Sequence, residues 1–323
     1  MAQLVKLLDY VSRYERDLSR YPTQYIRLKK YQWERMKKQW EHGADLSEWQ
    51  QVNEKVEQEE GKSFSPLFRL FGQRKVVEEE QDAKDQKNEP EDDDFGFNPN
   101  LVYTPETVEQ LRELYLNQLF HFQIKWASST LMDKSRIDAR YMRDSLLRSF
   151  SLQLPDSYLL FYHPILVLKK APVELDIIIV TPVECVCITV LEQENVAAFI
   201  GSGDRFWVKK HGEKETKLLN PLIGLNRMES IVSGIFKGRD IQFPVRKYLV
   251  SRNGYIDHPG AAFDMDIIDR RTYDKWFLAL QKSIIPLKST QFKAAQAILD
   301  LGQSTSISRL FDEIEYEHEN EVE

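Results

Sequence analysis

The residues that most invite a chemical reading lie between 174 and 194. Glu174 and Asp176 stand at the head of a β-branched run, Cys185 and Cys187 lie in the next apolar run, and Glu192 and Glu194 follow it. Carboxylates on neighbouring strands hold a hard divalent cation, and activate a water on it, when several of their oxygens converge. Strand alternation decides which can do so, because residues two apart share a face and residues three apart do not. Cys185 and Cys187 share a face, but Cys-x-Cys with no second pair is incomplete for zinc and suits a small buried hydrophobe. The six histidines, at 42, 121, 163, 211, 258 and 318, show no metal-ligand spacing. Gly201-x-Gly203 runs into Asp204 and Phe206-Trp207-Val208 rather than into a helix, so it reads as a hairpin turn and not as a phosphate cradle. There is no nucleophile elbow and no Walker lysine.

Four features follow one another over residues 137–250: Leu154-Pro155-Asp156-Ser157-Tyr158 after a helix, Glu174-Leu175-Asp176-Ile177-Ile178-Ile179-Val180-Thr181-Pro182, Phe206-Trp207, and Asn220-Pro221-Leu222. Their order resembles the NERD (nuclease-related domain) family, a branch of the PD-(D/E)xK nuclease superfamily. The resemblance implies an α/β (mixed α+β) fold with a restriction-endonuclease-like mixed sheet flanked by helices. In that family an aspartate opens one strand and the next strand presents Glu-x-Lys, so that two acids and a lysine converge around Mg²⁺ at a phosphodiester. By that resemblance Asp176 takes the aspartate's place, while Thr189 and Leu191 stand where Glu and Lys are expected. Threonine is a poor ligand for a hard cation, and leucine carries no charge. Glu184 replaces the turn glycine, Asp144 beside Arg143 matches the acid of the first helix, and Gly224 or Leu225 stands for the glutamine after Asn-Pro.

The expectation is therefore a nuclease fold with a degenerate catalytic set. Asp176 is its vestigial metal candidate, no cofactor is needed, and the chain serves as a binding or scaffold module for a protein partner or nucleic acid. In that case Asp176 is a strand-start acid bonded to the backbone, Lys169 or Lys170. Two alternatives stand beside it. One is an active Mg²⁺-dependent nuclease rebuilt from Asp176, Glu192 or Glu194 and a lysine such as Lys209 or Lys210, which requires a bulge to turn Glu192 or Glu194 toward Asp176. The other is a peripheral adaptor that docks on membrane or nucleic acid through a basic face, Arg27, Lys29, Lys30, Arg35, Lys37 and Lys38, set beside Trp33, Met36 and Trp40.

The elements that must position these residues are legible in outline. Leu4, Leu7, Val11, Tyr14, Leu18, Tyr21, Tyr25 and Leu28 hold a three-four spacing, which predicts a helical region over 1–60 in the form of two helices meeting near Tyr21 and Pro22. A mostly disordered acidic linker is expected over 61–103, where the apolar knot Phe64, Leu67, Phe68, Leu70 and Phe71 is followed by the acidic run 78–94. A connecting helix over 104–136 starts at Thr104-Pro105-Glu106. The NERD-like domain, 137–285, opens with a helix over 136–150. It continues with strands in 158–168, a strand over 173–180 turned by Thr181-Pro182-Val183-Glu184 into an antiparallel strand over 185–191, then strands near 197–200 and 206–208. A helix follows Asn220-Pro221, and strands over 245–250 and 265–268 precede a helix from Thr272. A C-terminal helix, 286–311, leads to an acidic tail, 312–323.

The charge balance narrows the function classes. The net charge of −7 over 323 residues conceals two acidic runs, ten acids against Lys84 and Lys87 in 78–94 and seven acids with no base in 312–323. Both runs are expected to be disordered, and the remainder, at +8, is basic enough to face an anion. Two cysteines two residues apart exclude a disulfide framework and fit a reducing, cytoplasmic setting. No apolar run reaches the roughly 20 residues of a membrane span, and the opening residues lack the pattern of a secretory signal.

Overall fold

Ile177-Ile178-Ile179-Val180 and Cys185-Val186-Cys187-Ile188 are buried at every position, as suits strands covered on both faces. In the computed structural model they form β5 (Ile177–Val180) and β6 (Cys185–Val190), antiparallel, with Ile177 opposite Ile188 and Val180 opposite Cys185. The Thr181 hydroxyl closes the turn between them, accepting from the Glu184 N–H at 3.1 Å and donating to the Glu184 carbonyl at 2.9 Å. The structure describes residues 1–42, 97, 99, 105–130, 132–192, 196–258 and 265–306. The acidic runs 78–94 and 312–323, the knot at 64–71, Thr104 and Glu194 lie outside them.

Around this pair the larger sheet has the order β1-β2-β5-β6-β10-β12, where β1 is Gln3–Leu7, β2 is Leu159–Tyr162, β10 is Val245–Val250 and β12 is Met265–Ile268. β1 is parallel to β2, β2 antiparallel to β5, and β10 parallel to both β6 and β12. One face packs on α3 (Ala139–Met142), α4 (Ser145–Gln153) and α6 (Tyr273–Gln281) through Tyr141, Leu147, Phe150 and Phe277. The other face meets α5 (Pro221–Gly238) and α7 (Ser289–Leu299). A mixed sheet flanked by helices is the architecture expected. Between β6 and α5 the chain builds a second sheet, β11-β7-β8-β9, from β7 (Ala198–Ile200), β8 (Phe206–His211) and β9 (Lys214–Leu219), completed by β11 (Tyr255–Asp257). Residues 201–203 form the hairpin turn expected there. Gly201 is required by close packing, since a Cβ would sit 2.9 Å from Trp207 and 2.8 Å from His258.

Several local expectations are corrected. Residues 4–18 do not form a helix: Leu4 and Leu7 belong to β1, and a single 3₁₀ turn, Arg13–Glu15, follows. One helix, α1 (Tyr21–Glu41), begins where two were expected to meet, because Pro22 occupies its first turn, where no backbone donor is missed. The helix expected over 136–150 breaks into α3 and α4 because the Asp144 carboxylate caps a new start. The helix after residue 104 is α2 (Val108–Trp126), and Thr107 caps it, accepting from the Gln110 N–H at 3.2 Å. The strand expected over 173–180 breaks before Asp176. Its first part is β4 (Ala171–Glu174), hairpinned to β3 (Ile165–Leu168) through Lys169 and Lys170, both at positive φ. The chain forms two compact units, Met1–Lys29 with Leu116–Glu323, and Lys30–Tyr115.

Two buried side chains tie β1 into the first unit. Gln123 of α2 treats its backbone as a neighbouring strand would: Leu4 N–H donates to the Gln123 carbonyl at 3.1 Å, and the Gln123 amide donates to the Ala2 carbonyl at 2.9 Å. This covers an edge that would otherwise offer unpaired groups to other chains. Lys6, 1% exposed, donates to the Tyr10 carbonyl, Glu15 and Ser304, at 2.7, 2.5 and 2.8 Å. In the second unit Trp33 packs on Tyr115 with ring centres 5.4 Å apart, and the Trp40 indole N–H donates to the Pro105 carbonyl at 2.8 Å. Gln123→Leu keeps volume but strands two buried backbone groups, so it should lower the free energy of unfolding by about 2–4 kcal/mol, read from urea titration of purified variant and parent.

Candidate functional site

β1, β2, β6 and β10 end, and β5 begins, at the same edge of the larger sheet. Open sheets gather ligands beyond the carboxyl ends of their parallel strands, and the candidate residues collect here. One position past the Ile177–Ile188 pair, Asp176 and Thr189 face each other, and the Thr189 hydroxyl donates to the Asp176 carboxylate at 2.5 Å. The Asp176 carbonyl accepts from the His163 N–H at 2.9 Å. The aspartate is thus bonded to Thr189 and the backbone segment beside it, and not to Lys169 or Lys170, which form the tip of the β3–β4 hairpin. Leu191 continues past β6 with its N–H donating to the Val250 carbonyl at 2.8 Å.

The other acids are engaged elsewhere at this edge. One Asp144 oxygen accepts from the Leu146 and Leu147 N–H groups, and the other accepts the Tyr162 hydroxyl at 2.6 Å. Burial and then the Asp144 carboxylate push the Tyr162 phenol far above its usual range, so it remains a protonated donor. Glu192 makes a two-pronged ion pair with Arg252, whose Nη2 donates at 2.6 Å and also reaches the Ser145 hydroxyl at 3.1 Å. Val190 and Val250 pack into the core on the α4 and α6 side, so Glu192 and Arg252, two residues further along each strand, depart on that side. Asp176 and Thr189 belong to the opposite face. No bulge carries Glu192 round to Asp176.

This donor set does not fit Mg²⁺. One carboxylate, already accepting a hydroxyl, supplies too few anionic oxygens for an octahedral cation, and threonine adds only a neutral one. Among the described residues no group of three or more His, Cys, Asp or Glu side chains is arranged to hold a metal. Cys185 and Cys187 are buried free thiols, and burial pushes Cys185 well above the usual thiol range. Lys210 lies on β8, paired with Glu215 of β9 at 2.7 Å, and Lys209 is on the same strand.

Sequence reasoning missed three residues. Lys247, 7% exposed, sits opposite Cys187 on the face of Asp176 and donates to Asn226 of α5 at 2.9 Å. A lysine at an alternate position between Val245 and Leu249 of the strand 245–250 was the available signal. Tyr162 and Arg252 carried none, since both sit at strand ends whose partners are remote in sequence.

Lys29 pairs with Asp156 in the first unit, Lys30 lies 4.0 Å from Glu34, and Lys37 lies 3.5 Å from Glu41. Arg35 is half-buried, while Arg27 and Lys38 are exposed.

Three comparisons with known proteins bear on this chain. An RNA 2′,3′-cyclic phosphodiesterase of Geobacillus stearothermophilus is 31% identical over 130 residues, which make up 38% of this chain and 36% of that protein. The chain therefore spans about a third of that relative's length. No family model matches the chain, and no solved structure does.

The Lys29–Asp156 contact makes a pH-dependent prediction. Burial opposes ionisation of Asp156, but the Met1 and Lys29 ammonium groups outweigh it and hold the carboxyl below the usual range. A carboxyl lowered in this way adds stability that is complete above its unfolded pKa, about 3.9, and is lost as pH falls through the folded value. Lys29→Gln should therefore unfold at lower urea than the parent at neutral pH, and the gap should close below about pH 4.

Proposed function

We propose that this chain is a NERD-like nuclease fold whose metal site has degenerated and which acts as a binding or scaffold module in the cytoplasm. One observation carries the reading: the Thr189 hydroxyl is bonded to Asp176 at the position where the resemblance calls for a second acid. A nuclease of this type needs that acid to hold the cation and a lysine two residues on to meet developing charge. Here the first is a hydroxyl already spent on Asp176, and the second is Leu191. Among the described residues no helix is long and apolar enough to cross a membrane. The buried free thiols agree with a reducing setting.

The purified chain should leave labelled RNA and DNA uncut in Mg²⁺ or Mn²⁺, and Asp176→Ala should alter its unfolding midpoint more than any activity. Cleavage that needs metal and disappears in Asp176→Ala would overturn the degenerate reading in favour of a rebuilt site. Thr189→Glu with Leu191→Lys restores the expected pattern and asks whether the remaining frame can still assemble a metal site.

A second reading has a specific observation behind it, the similarity to a protein called an RNA 2′,3′-cyclic phosphodiesterase. Hydrolysis of a cyclic phosphodiester proceeds by acid–base chemistry without any need for the missing carboxylate. Incubation with RNA ending in a 2′,3′-cyclic phosphate, followed by chromatography for the monoester, separates the two. Under the binding-module reading the cyclic end persists.

A further inference from the structure

The smaller sheet has two unlike faces. Phe199, Trp207 and Ile256 are buried on one of them. The alternate residues face solvent in register across four strands. Tyr255, Ala198, Lys210 and Glu215 make one row, Asp257, Ile200, Val208 and Lys217 the next, and Phe206 with Leu219 a third. Two rings on this face are exposed, Phe206 at 49% and Tyr255 at 38%. Each has a guanidinium over it: Arg205 lies 5.7 Å from the Phe206 ring centre, and Arg270 and Arg271 lie 6.0 and 5.8 Å from that of Tyr255. Two strand spacings and four residues separate the rings, roughly 16 Å.

From this arrangement we infer that the open face of the β11-β7-β8-β9 sheet binds a single-stranded nucleic acid. Unpaired bases stack on Phe206 and Tyr255, and the phosphates run along Arg205, Lys217, Lys210 and Arg270. Exposed aromatic rings on a four-stranded sheet offer bases a flat surface whatever their identity, and arginine beside a ring adds its own planar, charged contact. Charge complementarity selects this occupant over a protein or an apolar ligand. The face and its arginines present five cations against three carboxylates, Glu215 paired with Lys210, Asp269 paired with Arg271, and Asp257, which leaves Arg205, Lys217 and Arg270 to meet an anion in a chain whose net charge is −7. An apolar ligand has no use for those cations, and the apolar floor of Ala198, Ile200 and Val208 is too shallow to enclose one. The inference deepens the binding-module reading, and rests on it, by naming the partner; the face itself lies on a different sheet from Asp176.

The test uses the full chain and a fluorescein-labelled oligouridine of roughly 12 nucleotides, with anisotropy read in EDTA at low salt. Phe206→Ala and Tyr255→Ala should each weaken binding about tenfold, and Phe206→Tyr should retain it. Lys217→Gln should flatten the logarithmic salt dependence by about 0.7, the share of one phosphate contact. Lys275→Gln, an exposed charge on α6, should change nothing beyond noise. A DNA oligonucleotide that binds as well assigns the face to single strands in general, whereas preference for RNA assigns a contact to the 2′-hydroxyl; both support the inference. Equal affinity for a duplex, no loss in either alanine variant, or binding of the face to phosphatidylserine vesicles but not to the oligonucleotide overturns it. Repeating the incubation in Mg²⁺ keeps the two ideas apart. Cleavage lost in Asp176→Ala removes the degenerate-site reading and leaves the face standing, whereas intact oligonucleotide without binding removes the face alone.

Discussion

The register of β5 against β6 constrains everything at the functional edge of the larger sheet. Both strands are buried on both faces, so a slip of one residue would turn every side chain from one helical layer to the other. The Thr181 turn fixes the pairing at one end, and at the other it leaves Asp176 and Thr189 no choice but to meet. From β6 the register passes to β10 by parallel pairing, and with it the place where Glu192 and Arg252 leave the sheet. A polar pair on one face and an ion pair on the other are thus set by the packing of isoleucines and valines several residues away.

That constraint also decides how the polar groups at this edge are satisfied. A carboxylate at the head of a central strand must be satisfied whether or not it binds a cation, since an unpaired polar group near a core is expensive. Thr189 satisfies it with a side chain close to the volume of valine, in a strand where β-branched residues belong. Lys247 and Asn226 make a second polar pair on the same face. The face is polar in places, and the sheet beside it, grown between β6 and α5, is where exposed aromatic and basic residues accumulate.

The sequence allowed the central elements to be read because their signals are local. The run Ile177–Val180, the Thr181-Pro182 turn and the Asn220-Pro221 helix start each carry their meaning within a few residues, and each lies in the structure where it was expected. The alternation in Phe206-Trp207-Val208 placed a strand, though not the ring that would remain exposed. What escaped was non-local. Leu4 and Leu7 hold helical spacing and miss strand alternation, which an irregularity between Leu4 and Lys6 absorbs, and the decision is made by Leu159 and Leu160, more than 150 residues away. Asp144 was noted as an acid in search of a metal, when its position before Ser145-Leu146-Leu147 already spelled a helix cap. Counting from the turn by the family resemblance brought Thr189 level with Asp176 but did not foretell their hydrogen bond, and the Glu192–Arg252 pair joins strands that no short motif connects.

The buried Lys6 has a bearing on how the chain is made. Its strand emerges from the ribosome well before β2, which pairs with it and follows some 150 residues later, and Ser304, which accepts from its ammonium, lies 298 residues on. At synthesis rates of roughly 5–20 residues per second, β1 waits about 8–30 s for its partner strand and about twice that for its charge to be fully enclosed. Through that interval an apolar strand with a lysine in its midst has no sheet to join, and the ammonium keeps it soluble and disfavours pairing with other nascent chains. The same charge that must be enclosed at the end of folding therefore guards the strand while it waits for its partner.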